Sequence, residues 1–144
     1  MKLPSGRYVS VHTPIYPDSN FIWGEVTKSC TRPIQDLWIN GRLIISASEI
    51  ETRIIATAHH LDKLRAKLGN RPILVNSWYR PSAVNRSVGG SKWSRHQYGD
   101  AVDIRSPYLS PREIYHAAEP GHFGGISCYY SFVHIDWRGK KARW

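Results

Sequence analysis

The sequence predicts a single α+β domain, a small, mainly antiparallel sheet flanked by helices. Three observations predict it. The chain has 144 residues, the length of one core of roughly 100–200 residues. One long stretch has helical period with signals at both ends. The remaining apolar runs are short, β-branched and joined by tight turns. In order, residues 1–19 read as an irregular N-terminal segment, and Pro4, Pro14, Pro17 and Pro33 interrupt any long element before residue 45. Asn40-Gly41 is a turn signal between Leu37-Trp38-Ile39 and Leu43-Ile44-Ile45. A helix over about 48–68 follows, opened by Ser48 with Glu51 or by Ser46 with Glu49. Ile50, Ile54, Ala58, Leu61, Leu64 and Leu68 share one face, and Gly69-Asn70 closes it. Ile73-Leu74-Val75 reads as a strand, residues 81–86 as a helical turn, and Ala101-Val102-Asp103-Ile104 as a second strand. Ser110-Pro111-Arg112-Glu113 starts another helix, which ends before Pro120-Gly121. Residues 126–130 and 132–137 read as two joined strands, and the basic tail 140–144 as frayed.

Composition narrows the partners. Twenty Lys and Arg against eleven Asp and Glu give a net charge of +9, which favours an anionic partner. Six Trp and eight Tyr supply flat, half-polar surfaces suited to sugars or bases. Yet the basic residues are spread along the chain without a nucleic-acid motif, so no nucleic-acid partner is expected. No apolar run approaches a membrane span. Met1-Lys2-Leu3-Pro4 turns polar at once, so neither a signal peptide nor a transmembrane segment is expected. Cys30 and Cys128 form no metal cluster. They leave two readings open, two free thiols or one disulfide worth about 4–5 kcal/mol for its long loop.

Seven histidines are present, most with plain explanations. His59 and His60 fall on the solvated side of the long helix, and His12, His116 and His122 are isolated. His96 and His134 differ. Side chains alternate along a strand, so Asp103 points away from Val102 and Ile104. By the same parity His134 and Asp136 share the face opposite Val133 and Ile135. Gly99 lets the chain bend so that a loop carries His96 alongside. Two imidazoles and one carboxylate make a three-ligand zinc site with a position left for water, and zinc lowers the pKa of such a water toward ~7.

The stretch Ser94-x-His96-x-x-Gly99-x-Ala101-x-Asp103, followed by His134-x-Asp136, resembles the zinc D-alanyl-D-alanine carboxypeptidase family. These peptidoglycan metallopeptidases share a fold with lysostaphin-type endopeptidases and the hedgehog signalling domain. Upstream, Ser77-Trp78-Tyr79-Arg80-Pro81, Asn85-Arg86-x-Val88-Gly89-Gly90 and Phe21-x-Trp23-Gly24-Glu25 are similar too, so the likeness runs from about residue 20 to 139. It implies one Zn2+ held by His96, Asp103 and His134. It implies that Arg80 faces the substrate and polarises the scissile carbonyl, and that Ser94 holds the loop or contacts substrate. Where many relatives place a general base, this chain has Ser131 and Phe132. The resemblance therefore offers Asp136, either as the base or as a carboxylate that orients a ligand or an arginine. The implied function is hydrolysis of a peptide bond in peptidoglycan stem peptides, as carboxypeptidase or endopeptidase. The alternative is a non-catalytic, zinc-containing module that binds a wall peptide or protein partner. Trp78, Tyr79, Trp93 or Trp137 is expected to line the groove. A single domain with no wall-binding unit fits a viral lytic or virion enzyme, or one that recycles murein inside the cell; the oligomeric state is not readable.

Overall fold

A computed structural model describes residues 1–144. The elements run α1 (Trp23–Val26), β1 (Leu37–Ile39), β2 (Arg42–Ile45), α2 (Ala47–Lys67), β3 (Leu74–Ser77) and α3 (Ser82–Ser87). A 3-10 turn (Arg95–Tyr98), β4 (Ala101–Arg105), α4 (Pro111–Ala118), β5 (Gly125–Cys128), β6 (Val133–Asp136) and β7 (Ala142–Arg143) complete the chain. The expected α+β architecture is present. β1 and β2 form a separate hairpin, turned by Asn40 and Gly41 with φ of 53° and 75°, the doubly positive pair of the tight turns that match strand twist. The main sheet has the order β3-β4-β6-β5-β7, antiparallel except where β7 runs parallel to β5.

Helix α2 resolves the two candidate caps. The Ser46 hydroxyl accepts from the Glu49 amide, so the helix begins two residues earlier than the Ser48 cap would start it. Its predicted face is the buried one, with Ile50, Ile54, Ala58 and Leu61 inaccessible. They meet Ile104, Val133 and Ile135 of the sheet in one cluster of 24 buried residues. Full burial of each such side chain is worth about 1.5–3 kcal/mol. Helix α4 opens as the sequence indicates, with reciprocal bonds between Ser110 and Glu113 and Pro111 in its first turn. No helix is long and apolar enough to cross a membrane.

Several expectations need correction. The N-terminal segment is irregular but docked. Leu3, Val9 and Ile15 are buried, and Asp62 on α2 accepts from Tyr16 Oη, Ser19 Oγ and both nitrogens of Asn20. His60 is half-buried and stacks on Trp137, the residue after β6, at 5.0 Å. Trp78 and Tyr79 are core residues, each 1% exposed, and line no groove. Of the two readings left open for Cys30 and Cys128, the structure has free thiols. The tail is not frayed. Arg143 donates to the carbonyls of Gly124 and His122 at 2.7 and 2.8 Å and to Glu119 Oε1 at 3.2 Å, which locks β7 against β5.

Candidate metal centre

The antiparallel register sets Asp103 of β4 directly opposite His134 of β6, where facing Cβ atoms lie about 4.5–5.5 Å apart. His96 arrives from the 3-10 turn. The Ser94 hydroxyl caps that turn by accepting from the His96 amide at 3.3 Å. Gly99 ends it with φ +79°, and a Cβ there lies 2.7 Å from Ile54 on α2. A glycine is thus required twice over, by conformation and by packing. Trp78 Nε1 donates to the Gly99 carbonyl, and the Arg80 amide to the His96 carbonyl, which ties the turn to the end of β3.

His96 Nε2 and His134 Nδ1 lie 3.3 and 3.0 Å from Asp103 Oδ1, and the three potential ligand atoms fall within 4.8 Å of one another. The remaining ring nitrogens fix the tautomers. His96 Nδ1 is 2.7 Å from the Trp78 carbonyl, and His134 Nε2 is 2.8 Å from Asp136 Oδ2. A carbonyl and an ionised carboxylate only accept, so these two nitrogens carry the protons. Both inward nitrogens then aim lone pairs at a carboxylate oxygen, an arrangement that needs a cation at the meeting point. Burial pushes the His134 pKa down, but hydrogen bonds to Asp103 and Asp136 outweigh it and raise it. Burial likewise pushes Asp103 up, yet bonds from His134 and His96 hold it well below the usual carboxylate range. A proton meets part of this demand and a divalent ion meets all of it. Two imidazoles and one carboxylate, without thiolate, suit zinc with a position left open.

Asp136 lies behind this cluster. It is fully buried. Its Oδ1 accepts from the Gly125 amide and Arg138 Nε at 2.9 and 2.8 Å, and its Oδ2 from His134 and from Arg138 Nη2 at 2.6 Å. Burial raises its pKa, but Arg138, His134 and the Gly125 amide together hold it far below normal. It lies on the His134 nitrogen turned away from Asp103 and has no surface in the cavity. An acceptor so placed holds the His134 ring in one tautomer.

The ligands open into a cavity of about 560 Å3. Arg80 lines it, with Nη1 3.4 Å from Asn85 Oδ1 and a buried Nε that has no partner. Burial, opposed by Asp103 and assisted by Arg32, lowers its pKa, but a guanidinium stays charged. Trp93 lines the cavity as expected, whereas Trp137 does not. Arg95, Arg138, Tyr129 and Trp144 line it unannounced by the sequence. Trp144 has its ring 5.1 Å from that of His134, donates from Nε1 to Tyr129 Oη, and accepts at its carbonyl from Ser127 Oγ. A two-residue strand has no readable period, so nothing in the sequence marked this aromatic wall.

A sequence model of the peptidase M15 family matches residues 20–136. Over 85 residues the chain is 33% identical to the zinc D-Ala-D-Ala carboxypeptidase of Streptomyces albus G. That alignment covers 59% of this chain and 31% of the relative, so the chain spans about a third of the length of the curated protein it matches.

Proposed function

Since the chain belongs to the peptidase M15 family, we propose that it is a zinc metallopeptidase that hydrolyses a peptide bond in peptidoglycan stem peptides, as a carboxypeptidase or endopeptidase. The observation that carries this reading is the convergence of three proton-free donor atoms, the two imidazoles each fixed from behind, at the floor of an open cavity that Arg80 also lines.

His96, Asp103 and His134 would hold the ion. Bound zinc supplies a Lewis acid that polarises a carbonyl and lowers the pKa of water toward ~7. The protein does the rest. The Trp78 carbonyl and Asp136 hold the two imidazoles in their donor tautomers, and Arg138 holds Asp136 ionised. Arg80 presents a partly desolvated cation on the cavity wall, where negative charge develops on the scissile carbonyl oxygen. A fixed donor of that kind is worth about 3–4 kcal/mol. Arg95 and Arg138 are engaged by Asp100 and Asp136, which leaves Arg80 as the cavity's cation without a carboxylate partner, and this suits a peptide bearing a carbonyl or carboxylate there. Ser94, as the cap of the turn that carries His96, acts through loop geometry.

One observation favours a second reading, a zinc-containing module that binds a wall peptide without cutting it. Besides the ligands, no carboxylate or imidazole lines the cavity. A single-turnover assay on defined stem peptides, with products identified by mass spectrometry, separates the two. The peptidase reading requires chelator-sensitive cleavage that returns with zinc. Binding with no cleavage at stoichiometric zinc establishes the module.

A further inference from the structure

A second cavity, of about 390 Å3, meets the first at Gly90, which lines both. The ridge between them is bare backbone by necessity: a Cβ on Gly90 would lie 2.1 Å from Asn85 Oδ1 and 3.1 Å from Arg80 Nη1. One bank is the β1–β2 turn, with Trp38, Ile39 and Asn40; the other is α3 and its loop, with Ser82, Arg86 and Lys92. Lys92 Nζ donates to Asn40 Oδ1 at 2.5 Å and ties the banks together. Gln97, 4% exposed, donates its amide to the carbonyls of Lys92 and Ser94, so the loop between the cavities is braced from beneath. Asn85, 2% exposed, accepts from Arg80 and donates to the Ser91 carbonyl. It belongs to the wall of the second cavity and steadies the arginine of the first.

The lining chemistry selects a ligand. Trp38 is 57% exposed although Leu37 and Ile39 on either side of it are buried. Alternation thus sets a flat, half-polar platform on the cavity side of the hairpin. Arg86 and Lys92 are exposed cations without a carboxylate partner, and no acidic residue lines the cavity. A peptide lying across the Gly90 ridge reaches both cavities without meeting a side chain at their junction.

We propose that this cavity is a second substrate subsite, which binds a carboxylate-bearing arm of the peptide whose scissile bond lies at the metal centre. The proposal rests on the peptidase reading for its ligand and adds where the substrate's remote acidic group is held. The test uses two stem peptides that differ only in carrying an α-carboxylate or an α-carboxamide on the glutamyl residue. Their binding to the zinc-loaded chain is read by stopped-flow tryptophan fluorescence, before turnover. The carboxylate probe should bind about fivefold more tightly, the scale of one partly exposed charge-assisted bond. That preference should vanish in an Arg86→Gln/Lys92→Gln double variant, while Trp38→Ala weakens both probes alike. Both sets of side chains are exposed, so the fold should survive. Equal binding of the two probes, or a preference that persists in the double variant, overturns the proposal. Cleavage of the same samples is scored separately; its absence counts against the peptidase reading and leaves the binding preference intact.

Discussion

Replacing Asp136 with Asn separates the two roles open to this residue. The carboxylate is fully buried and accepts from His134, from the Gly125 amide and twice from the Arg138 side chain. Asn keeps the volume but removes the charge and puts an NH2 where one acceptor oxygen stood. Arg138 then faces an amide in place of a carboxylate. Breaking a buried pair from one side costs about 3–5 kcal/mol. The Arg138 side chain keeps 23% exposure, so about 2–3 kcal/mol is expected. At roughly 3–4 °C per kcal/mol for a domain of this size, that lowers the melting temperature by roughly 6–12 °C. His134 also loses the partner that fixes its tautomer, and zinc affinity should fall by about 10–100-fold. Zinc titration against a competing chelator measures the affinity, and steady-state hydrolysis at saturating zinc measures the residual turnover. An orienting role predicts weakened metal binding with most turnover regained at high zinc. If zinc binds as in the parent while kcat drops by orders of magnitude at every zinc concentration, Asp136 is the base and the orientation argument is wrong.

Three further outcomes follow from the packing. Gly90→Ala should leave the fold and zinc affinity intact but displace Asn85 and Arg80. It should reduce kcat by roughly 10–100-fold through the displaced Arg80, the signature of a lost transition-state contact, and raise KM as well, because the new methyl stands on the ridge between the cavities; an unchanged kcat removes Arg80 from the proposed mechanism. Arg143→Ala cuts the anchors of β7 and frees Trp144 from His134. It should raise KM several-fold without altering zinc affinity, and parental kinetics would show that Trp144 touches no substrate. Burial and the hydrogen bond to Asp62 push the Tyr16 pKa up to about 12. A raised folded-state pKa contributes stability that is complete below the unfolded value near 10 and is lost as pH rises through about 12. Docking of the N-terminal segment should therefore weaken across that window. Hydrogen exchange of residues 1–22 in Tyr16→Phe should lack the alkaline step, and a step of equal size in that variant would assign it elsewhere.

The parts of this fold that were legible in the sequence are those governed by local periods and caps. Helix α2 is readable because its apolar face repeats every three or four residues, and α4 because Ser110 and Glu113 each satisfy a free helix-end amide while Pro111 brings none. The expectation that Asp103 and His134 leave the core face needed only strand parity, and the structure sets them opposite one another. The four-residue turn that carries His96 was legible as a turn at Gly99, and the loop-holding reading of Ser94 is met by its hydroxyl accepting from the His96 amide. Parity alone could not distinguish His134 from Asp136, which share a face two residues apart. The arrangement depended on which partner each His134 nitrogen meets, Asp103 across the strand pair for Nδ1 and Asp136, itself held by Arg138, for Nε2.

By itself the sequence determined the fold class, the helical face that seals the core, and the residue types able to hold a divalent cation. Only the tertiary structure decided that Trp144 returns to wall the cavity and that a second cavity adjoins the first. The physical reason is range. Periodicity and capping act over four residues, whereas these two features arise where segments 15 or more residues apart meet, through a packing that no short window contains.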